Sequence, residues 1–270
     1  MPDTSTATTT FAADEARRAE LAEFLKRRRA GIAPTRVGLK GGLRRRARGL
    51  LREEVAQLAG ISPTWYVWLE QGRDIHPSRD VLANISAALL LNDAERDHLF
   101  VLAEPRDTPS LSTEPTEELR AFLAGLRDQP AYIVNGLWDL LAWNAAARAL
   151  FGDFAQVPPR ERNVLMLIFN WAPWRELLLD RATLLPSVVA QFRAATAQFT
   201  GEPRLVEILQ ALMLSSPEFA RHWEAGAVQS PGLYSKRLSH PTRGETRWTY
   251  APLRPPGAAD DIAVVVYSPA

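Results

Sequence analysis

A chain of 270 residues is long enough for a sizeable core and for two domains of ordinary size. Its lack of cysteine removes thiolate catalysis, disulfides and cysteine-ligated zinc, and fits a reducing compartment. The net charge of +1 conceals an uneven distribution: eleven Lys and Arg and no acid lie between Phe24 and Arg52, whereas residues 104–270 hold 16 basic and 18 acidic side chains. Such a block predicts a polyanion partner whose binding weakens as salt rises, with a solvated basic run as the alternative. No apolar run approaches the roughly 18 residues needed to cross a bilayer, and "MPDTSTATTT" lacks the regions of a secretion signal. The expectation is a cytoplasmic protein without a membrane partner, beginning in a disordered tail over 1–15.

In chain order, Glu15–Arg29 carries Leu21, Phe24 and Leu25 at helical spacing and ends at Gly31 and Pro34. A Gly-rich, basic segment runs to Gly49. Helices follow over 51–59 with Val55 and Leu58 inward, over 62–71, and over 78–90 with Val81, Ile85 and Leu89 on one face and Ser78 as N-cap. A fifth, 93–103, directs Leu99 and Leu102 to the bundle. These make a first domain over 16–103. Residues 104–117 have linker composition, rich in Pro, Ser, Thr and acid, and a second domain spans 118–270.

In that second domain, two apolar runs flank Asn135-Gly136, a strong short hairpin signal. Helical patterns occupy 145–225, and "LYSKRLSH", "TRWTYAPL" and "DIAVVVYS" read as three closing strands. The order predicts an α+β domain with one five-stranded antiparallel sheet and helices packed on it, in a chain that is otherwise mostly α.

"LLREEVAQLAGISPTWYVWLEQGR" has helix-turn-helix architecture: small Ala56 lets two helices approach, Gly60 takes the turn, Ile61 points inward, and the second helix ends in Leu69-Glu70-Gln71-Gly72. The segment resembles the Cro/repressor-type, or xenobiotic-response-element, regulators. It is closer still to their MmyB-like branch, through "GLLREEVAQLAGIS", "WLEQGRDIHPS" and the Gly/Arg-rich stretch before them. "LWDLLAWNAAARALFGDF", "PPRERNVL", "SPEFARHW" and "SHPTRGETRWTY" resemble the MmyB-like ligand-binding domain, which is PAS-like in fold. The resemblance covers roughly residues 16–268. It implies a transcription regulator that binds double-stranded DNA, is controlled by a small hydrophobic ligand such as a fatty acid, and works as a homodimer on paired half-sites.

The same resemblance points to Ser62, Pro63, Thr64 and Trp68 facing DNA, and to Arg52 and Gln57 near phosphate. Arg44, Arg45, Arg46, Arg48 and Arg73 complete the expected contact set as phosphate ligands. Family members commonly carry a polar or basic residue where this chain has Val67 and Trp68, so Trp68 has three candidate partners: DNA, a second subunit or the chain's own second domain. Trp65 reads as half-buried support. Glu53 and Glu54 suit the first turn of a helix, and Glu70 suits a tie to an arginine.

Six of the eight tryptophans lie in the second domain, where packing is the first expectation for each. "NVLMLIFNWAPW" is apolar on nearly every face, a surplus a long ligand could use. The candidate ligand set is Trp143, Asn144, Arg162, Asn163, Phe169, Trp171, Trp174, Phe219 and Trp223, with Asn144, Arg162, Asn163 or Arg237 at a polar head. No metal or other cofactor is expected, since the four histidines show no ligand spacing. His240, before Pro241, reads as turn structure. Two competitors remain: a second domain that binds a partner protein, which a fully packed core would favour, and an enzyme, which several perturbed titratable groups in one cleft would favour.

Overall fold

The computed structural model describes residues 4–39, 47–104, 109–230, 232 and 234–270, with side chains from residue 12 onward. The chain divides into two compact units, residues 1–108 with 200–202 and residues 109–199 with 203–270.

In the first unit the described residues form five helices: α1 (Thr4–Gly31), α2 (Arg52–Ala59), α3 (Pro63–Glu70), α4 (Arg79–Ala88) and α5 (Asp93–Ala103). Helix α1 is longer than the Glu15–Arg29 expected and runs back through residues read as a disordered tail. The α2–α3 corner follows from local chemistry. Gly60 adopts φ 67° and its N–H reaches Ala56 O and Gln57 O, while Ser62 Oγ accepts from Trp65 N and Pro63 occupies the first turn. Val55, Ala56 and Ala59 form the buried face of α2. Leu58, expected inward, is 40% exposed, because at about 100° per residue it lies roughly a quarter-turn from that face. In α4 and its cap the inward set is Leu82, Ile85, Ser86 and Leu89, with Val81 on its flank. Leu99 and Leu102 of α5 are fully buried.

The second unit contains α6 (Glu117–Gly125), β1 (Ala131–Val134), β2 (Leu140–Trp143), α7 (Ala145–Phe151), α8 (Val164–Asn170), α9 (Ala172–Leu177), α10 (Arg181–Thr196), α11 (Pro203–Ser215), α12 (Pro217–Glu224), β3 (Tyr234–His240), β4 (Gly244–Leu253) and β5 (Ala263–Pro269). The five strands form one antiparallel sheet in the order β2-β1-β5-β4-β3, the α+β arrangement expected. The β1–β2 hairpin is closed by five residues in place of a two-residue Asn-Gly turn. Asn135 Oδ1 accepts from Leu137 N and Asp139 N, both at 3.0 Å, and the positive φ falls on Trp138.

Strand alternation sorts this sheet into two faces. Ala131, Ile133 and Val264 pack with Leu119 and Leu123 of α6 on one side. On the other, Tyr132, Val134, Val265, Tyr267, Trp248, Tyr250 and Leu238 meet a larger core from α7 to α12. Lys236, two residues before Leu238 on β3, shares that second face and is itself buried.

Candidate functional site

The first candidate site is the exposed start of α3 with the surface beside it. Tyr66 and Leu69 anchor the helix inward, which leaves Ser62, Pro63 and Thr64 exposed on its first turn; Gln57, Arg52, Arg48 and Arg73 are exposed as well. Trp65 and Trp68 are both half-buried. The Arg73 guanidinium lies 5.4 Å from the centre of the Trp68 ring, a cation–π placement that covers part of this tryptophan. Arg44, Arg45 and Arg46 lie outside the described residues.

Behind this surface Glu70, 1% exposed, ties three segments together. Its carboxylate accepts from Arg29 Nε at 2.5 Å, Arg29 Nη2 at 3.1 Å and Arg52 Nε at 2.6 Å, and Arg29 also donates to Leu50 O at 2.9 Å. The arginine tie expected of Glu70 is present, and it engages Arg52, which was read as a phosphate contact. The Arg52 side chain remains 49% exposed, so its outer nitrogens stay accessible. Glu54 Oε2 accepts from Leu51 N at 2.7 Å, the helix-start role read for it.

The second site is a cavity of about 410 Å³ between the sheet and helices α8 and α10. Val134, Val265, Ala263, Val164, Ile168 and Val188 supply apolar wall, and Tyr132, Tyr250 and Trp138 supply aromatic wall. Its polar lining includes Asn135, Gln191, Lys236, Arg254 and Asp261. Gly136 also lines it; a Cβ there would stand 2.4 Å from the Phe199 ring, so close approach explains this glycine. Asp261 accepts from Ser112 N at 2.7 Å and Ser112 Oγ at 2.6 Å, while Asn135 Nδ2 donates to Ser112 O at 3.0 Å. The segment around Ser112 is thereby fastened to the cavity rim.

Lys236 Nζ lies 4.0 Å from the Tyr250 ring centre, 5.7 Å from that of Tyr267 and 3.4 Å from Tyr267 Oη. Burial pulls its ammonium down to about 7. Burial moves the surrounding phenols the other way: Tyr132 is pushed up to about 12, and Tyr250 and Tyr267 stand well above their ordinary 10. Tyr132 and Tyr267 share a hydroxyl contact of 3.2 Å.

None of the nine side chains expected at a ligand lines this cavity. Asn144 caps α7 and bonds Ala131 N, Leu126 O and Gln129 O. Asn163 caps α8 and donates to Leu137 O at 2.8 Å and Asp139 Oδ1 at 3.0 Å. Arg162 donates to Val157 O and Ala155 O and lies over the Trp143 ring. Trp143, Trp171 and Trp174 cluster around Phe154, and Phe169, Phe219 and Trp223 form a second aromatic group. Trp143 and Asn144 border a shallower groove with Leu123 and Leu126 on the far side of the sheet. Arg237, the neighbour of Lys236, points away to Asp180 and Glu245, and its hydrogen bonds hold the Asp180 carboxyl below the usual range. From "NVLMLIFNWAPW" only Val164 and Ile168 reach the cavity, while Leu165, Met166, Leu167 and Phe169 are packed. His240 accepts from Thr242 N and Arg243 N, as a turn residue does.

Lys236 itself was not foreseen, although its spacing from Leu238 on an alternating strand carried the signal. Among the described residues, no helix is long and apolar enough to cross a membrane.

A family model described as the MmyB-like transcription regulator ligand binding domain matches residues 115–270, and a helix-turn-helix domain model matches residues 42–99. No curated protein matches the chain.

Proposed function

The chain belongs to the MmyB-like transcription regulators, and from that membership we propose that a small hydrophobic ligand of the acyl type, held in the sheet–helix cavity, controls how a homodimer of this chain reads DNA through α3. This is a DNA-binding transcription regulator with a ligand-binding domain.

The observation that carries the ligand reading is the cavity of about 410 Å³, which falls within the usual range for small-molecule sites and has predominantly apolar and aromatic walls. A partner-binding domain without a ligand would have no need of such a space. Perturbed groups do converge there, the condition that would favour an enzyme. Yet the three tyrosines are moved away from neutral pH, so they are neither acids nor bases under ordinary conditions, and among the described residues of the lining Lys236 alone is shifted toward neutrality.

For DNA, the exposed Ser62, Pro63 and Thr64 occupy the part of a recognition helix that meets base edges, and Arg48, Arg52, Gln57 and Arg73 serve phosphates around it. Trp68, half covered by Arg73, makes an apolar contact beside them.

The ligand reading is tested by native mass spectrometry of gently extracted protein, together with melting curves in a panel of saturated acyl compounds. A retained lipid-like mass is expected, and ligand at 100 times its Kd should add about 2.7 kcal/mol of stability. Absence of both refutes the ligand reading and leaves the DNA-binding assignment standing.

A further inference from the structure

We infer that Lys236 is the head-group residue of the cavity: its ammonium pairs with the carboxylate of an acidic amphiphile whose tail lies along Val134, Val164, Ile168 and Val188. The inference rests on reading the cavity as the site of a small hydrophobic ligand, and adds to it the residue that holds the ligand's head group.

The lysine is 8% exposed and lines the cavity. Strand β3 puts it there, since its pairing with Trp248 and its two-residue offset from Leu238 direct it to the helix-covered face. Apart from Arg254, the groups facing it are uncharged or already engaged. From β1, β4 and β5 come Tyr132, Tyr250 and Tyr267, which offer rings and hydroxyls. Helices α8 and α10 present Val164, Ile168, Val188 and Gln191, and Gln191 donates to Ser187 Oγ. Asp261 is bonded to Ser112, and Asp180, beside β3, is bonded to Arg237. Arg254 is exposed at the cavity mouth.

Among the described residues no acid pairs with Lys236. A buried ammonium ordinarily has an anionic partner. Here the cavity leaves room for one, and a carboxylate would also receive charge-assisted hydrogen bonds from Nζ. The other buried polar groups of the lining, Asn135, Gln191 and Asp261, have partners within the protein, whereas Lys236 is a buried cation that meets no acid among the described residues.

Two consequences follow. An acid should bind in preference to a neutral amphiphile of equal length. Because burial holds the free amine near neutrality, binding a carboxylate above pH 7 should draw in about one proton.

The test uses the full chain with dodecanoic acid and dodecanol, titrated calorimetrically at about pH 6 and about pH 8.5 in pairs of buffers with different ionisation enthalpies. The expected result is at least a tenfold preference for the acid at the lower pH, shrinking by up to about tenfold per pH unit above 7, with close to one proton taken up at the higher pH. Lys236→Met, and Lys236→Gln as a second variant, should lose both the preference and the proton uptake. Equal binding of the two probes by the natural protein without proton uptake overturns this inference and leaves the hydrophobic-ligand reading intact. A preference for acid that survives in both variants overturns it too, placing the head-group site elsewhere. Binding of neither probe overturns the hydrophobic-ligand reading and the inference with it.

Discussion

Replacing Lys236 by methionine removes an amine that folding withdraws from water without an acidic partner, and the effect on the stability of the unliganded protein should depend on pH. The ammonium moves from its ordinary 10.5 to about 7 on folding, and at 1.36 kcal/mol per pKa unit this opposes folding of the charged form by up to about 5 kcal/mol. The sign follows from proton counts. Between about pH 7 and pH 10.5 the unfolded chain holds a proton that the folded chain has released, so this group makes stability rise with pH. The penalty is complete below about 7 and gone above 10.5, with a slope of about 1.4 kcal/mol per pH unit between. Tyr132, Tyr250 and Tyr267 act in the opposite sense, since burial keeps them protonated where unfolded tyrosines ionise; stability should therefore fall above about pH 10. Urea denaturation from about pH 7.5 to about pH 9.5 isolates the lysine between these limits. Tryptophan fluorescence suits the purpose because six of the eight tryptophans lie in this half of the chain. The natural protein should gain about 2 to 3 kcal/mol across that window, while Lys236→Met should be flatter and, at neutral pH, more stable by a few kcal/mol. Parallel profiles for the two proteins would refute the reasoning, because they would mean that the amine stays solvated in the folded state.

Glu70→Ala should destabilise the first unit by about 3 kcal/mol, read as faster hydrogen exchange over residues 52–73, because Arg29 loses both bonds to a carboxylate that is 1% exposed; Arg52→Ala, at an exposed arm of the same network, should cost about 1 kcal/mol or less. Asn163→Ala should cost about 2 to 4 kcal/mol in urea denaturation without changing the affinity for dodecanoic acid, since its side chain caps α8 and satisfies the Leu137 carbonyl at zero exposure and lies outside the cavity lining. Gly136→Ala should destabilise by about 1 to 3 kcal/mol by driving a Cβ into the buried Phe199 ring, and an unchanged melting temperature would show that the ring yields freely. In DNA-binding titrations across salt, Thr64→Ala should alter the order of preferred sequences, whereas Arg48→Ala should weaken all sequences alike and lower the salt slope by about one.

The helix-turn-helix was legible because its determinants are local. Gly60 at a positive φ, Ser62 as cap and Pro63 in the first turn each act within a few residues of where they stand. Glu70 was legible for a related reason: a carboxylate near the end of a buried helix face, in a segment crowded with arginine, has an evident partner type. Leu58 shows the limit of pattern reading on a helix of eight residues, where the choice of Val55, Ala56 and Ala59 as the inward face leaves a leucine outside. The sheet was equally readable, because two short apolar runs flank Asn135-Gly136 and three longer strand-like runs close the chain. The hairpin turn was not, because the Asn135 side chain accepts from the backbone N–H groups of Leu137 and Asp139 and Gly136 yields to Phe199, so the two residues take part in a wider loop.

The nine side chains expected at a ligand lie outside the sheet–helix cavity for a physical reason. Polar residues beside apolar runs, such as Asn144 and Asn163, are the natural caps of the helices they precede, and both are spent on backbone groups. Clustered tryptophans in a unit of this size pack against one another before they line a void. The cavity wall instead comes from β1, β4, β5, α8 and α10, with the lysine from β3. These elements are far apart in the chain, and their meeting depends on strand order, which no single segment encodes. Arg237 and Lys236 compress the problem into two neighbouring positions. Composition alone favours the arginine as an anion ligand, yet on a strand adjacent side chains take opposite faces. Pairing Arg237 with Asp180 and Glu245 leaves its neighbour to face the tyrosines. Once Leu238 is recognised as core, a two-residue step back along β3 reaches a lysine in an apolar row, and a charge at an inward position asks for a partner that the sheet does not provide.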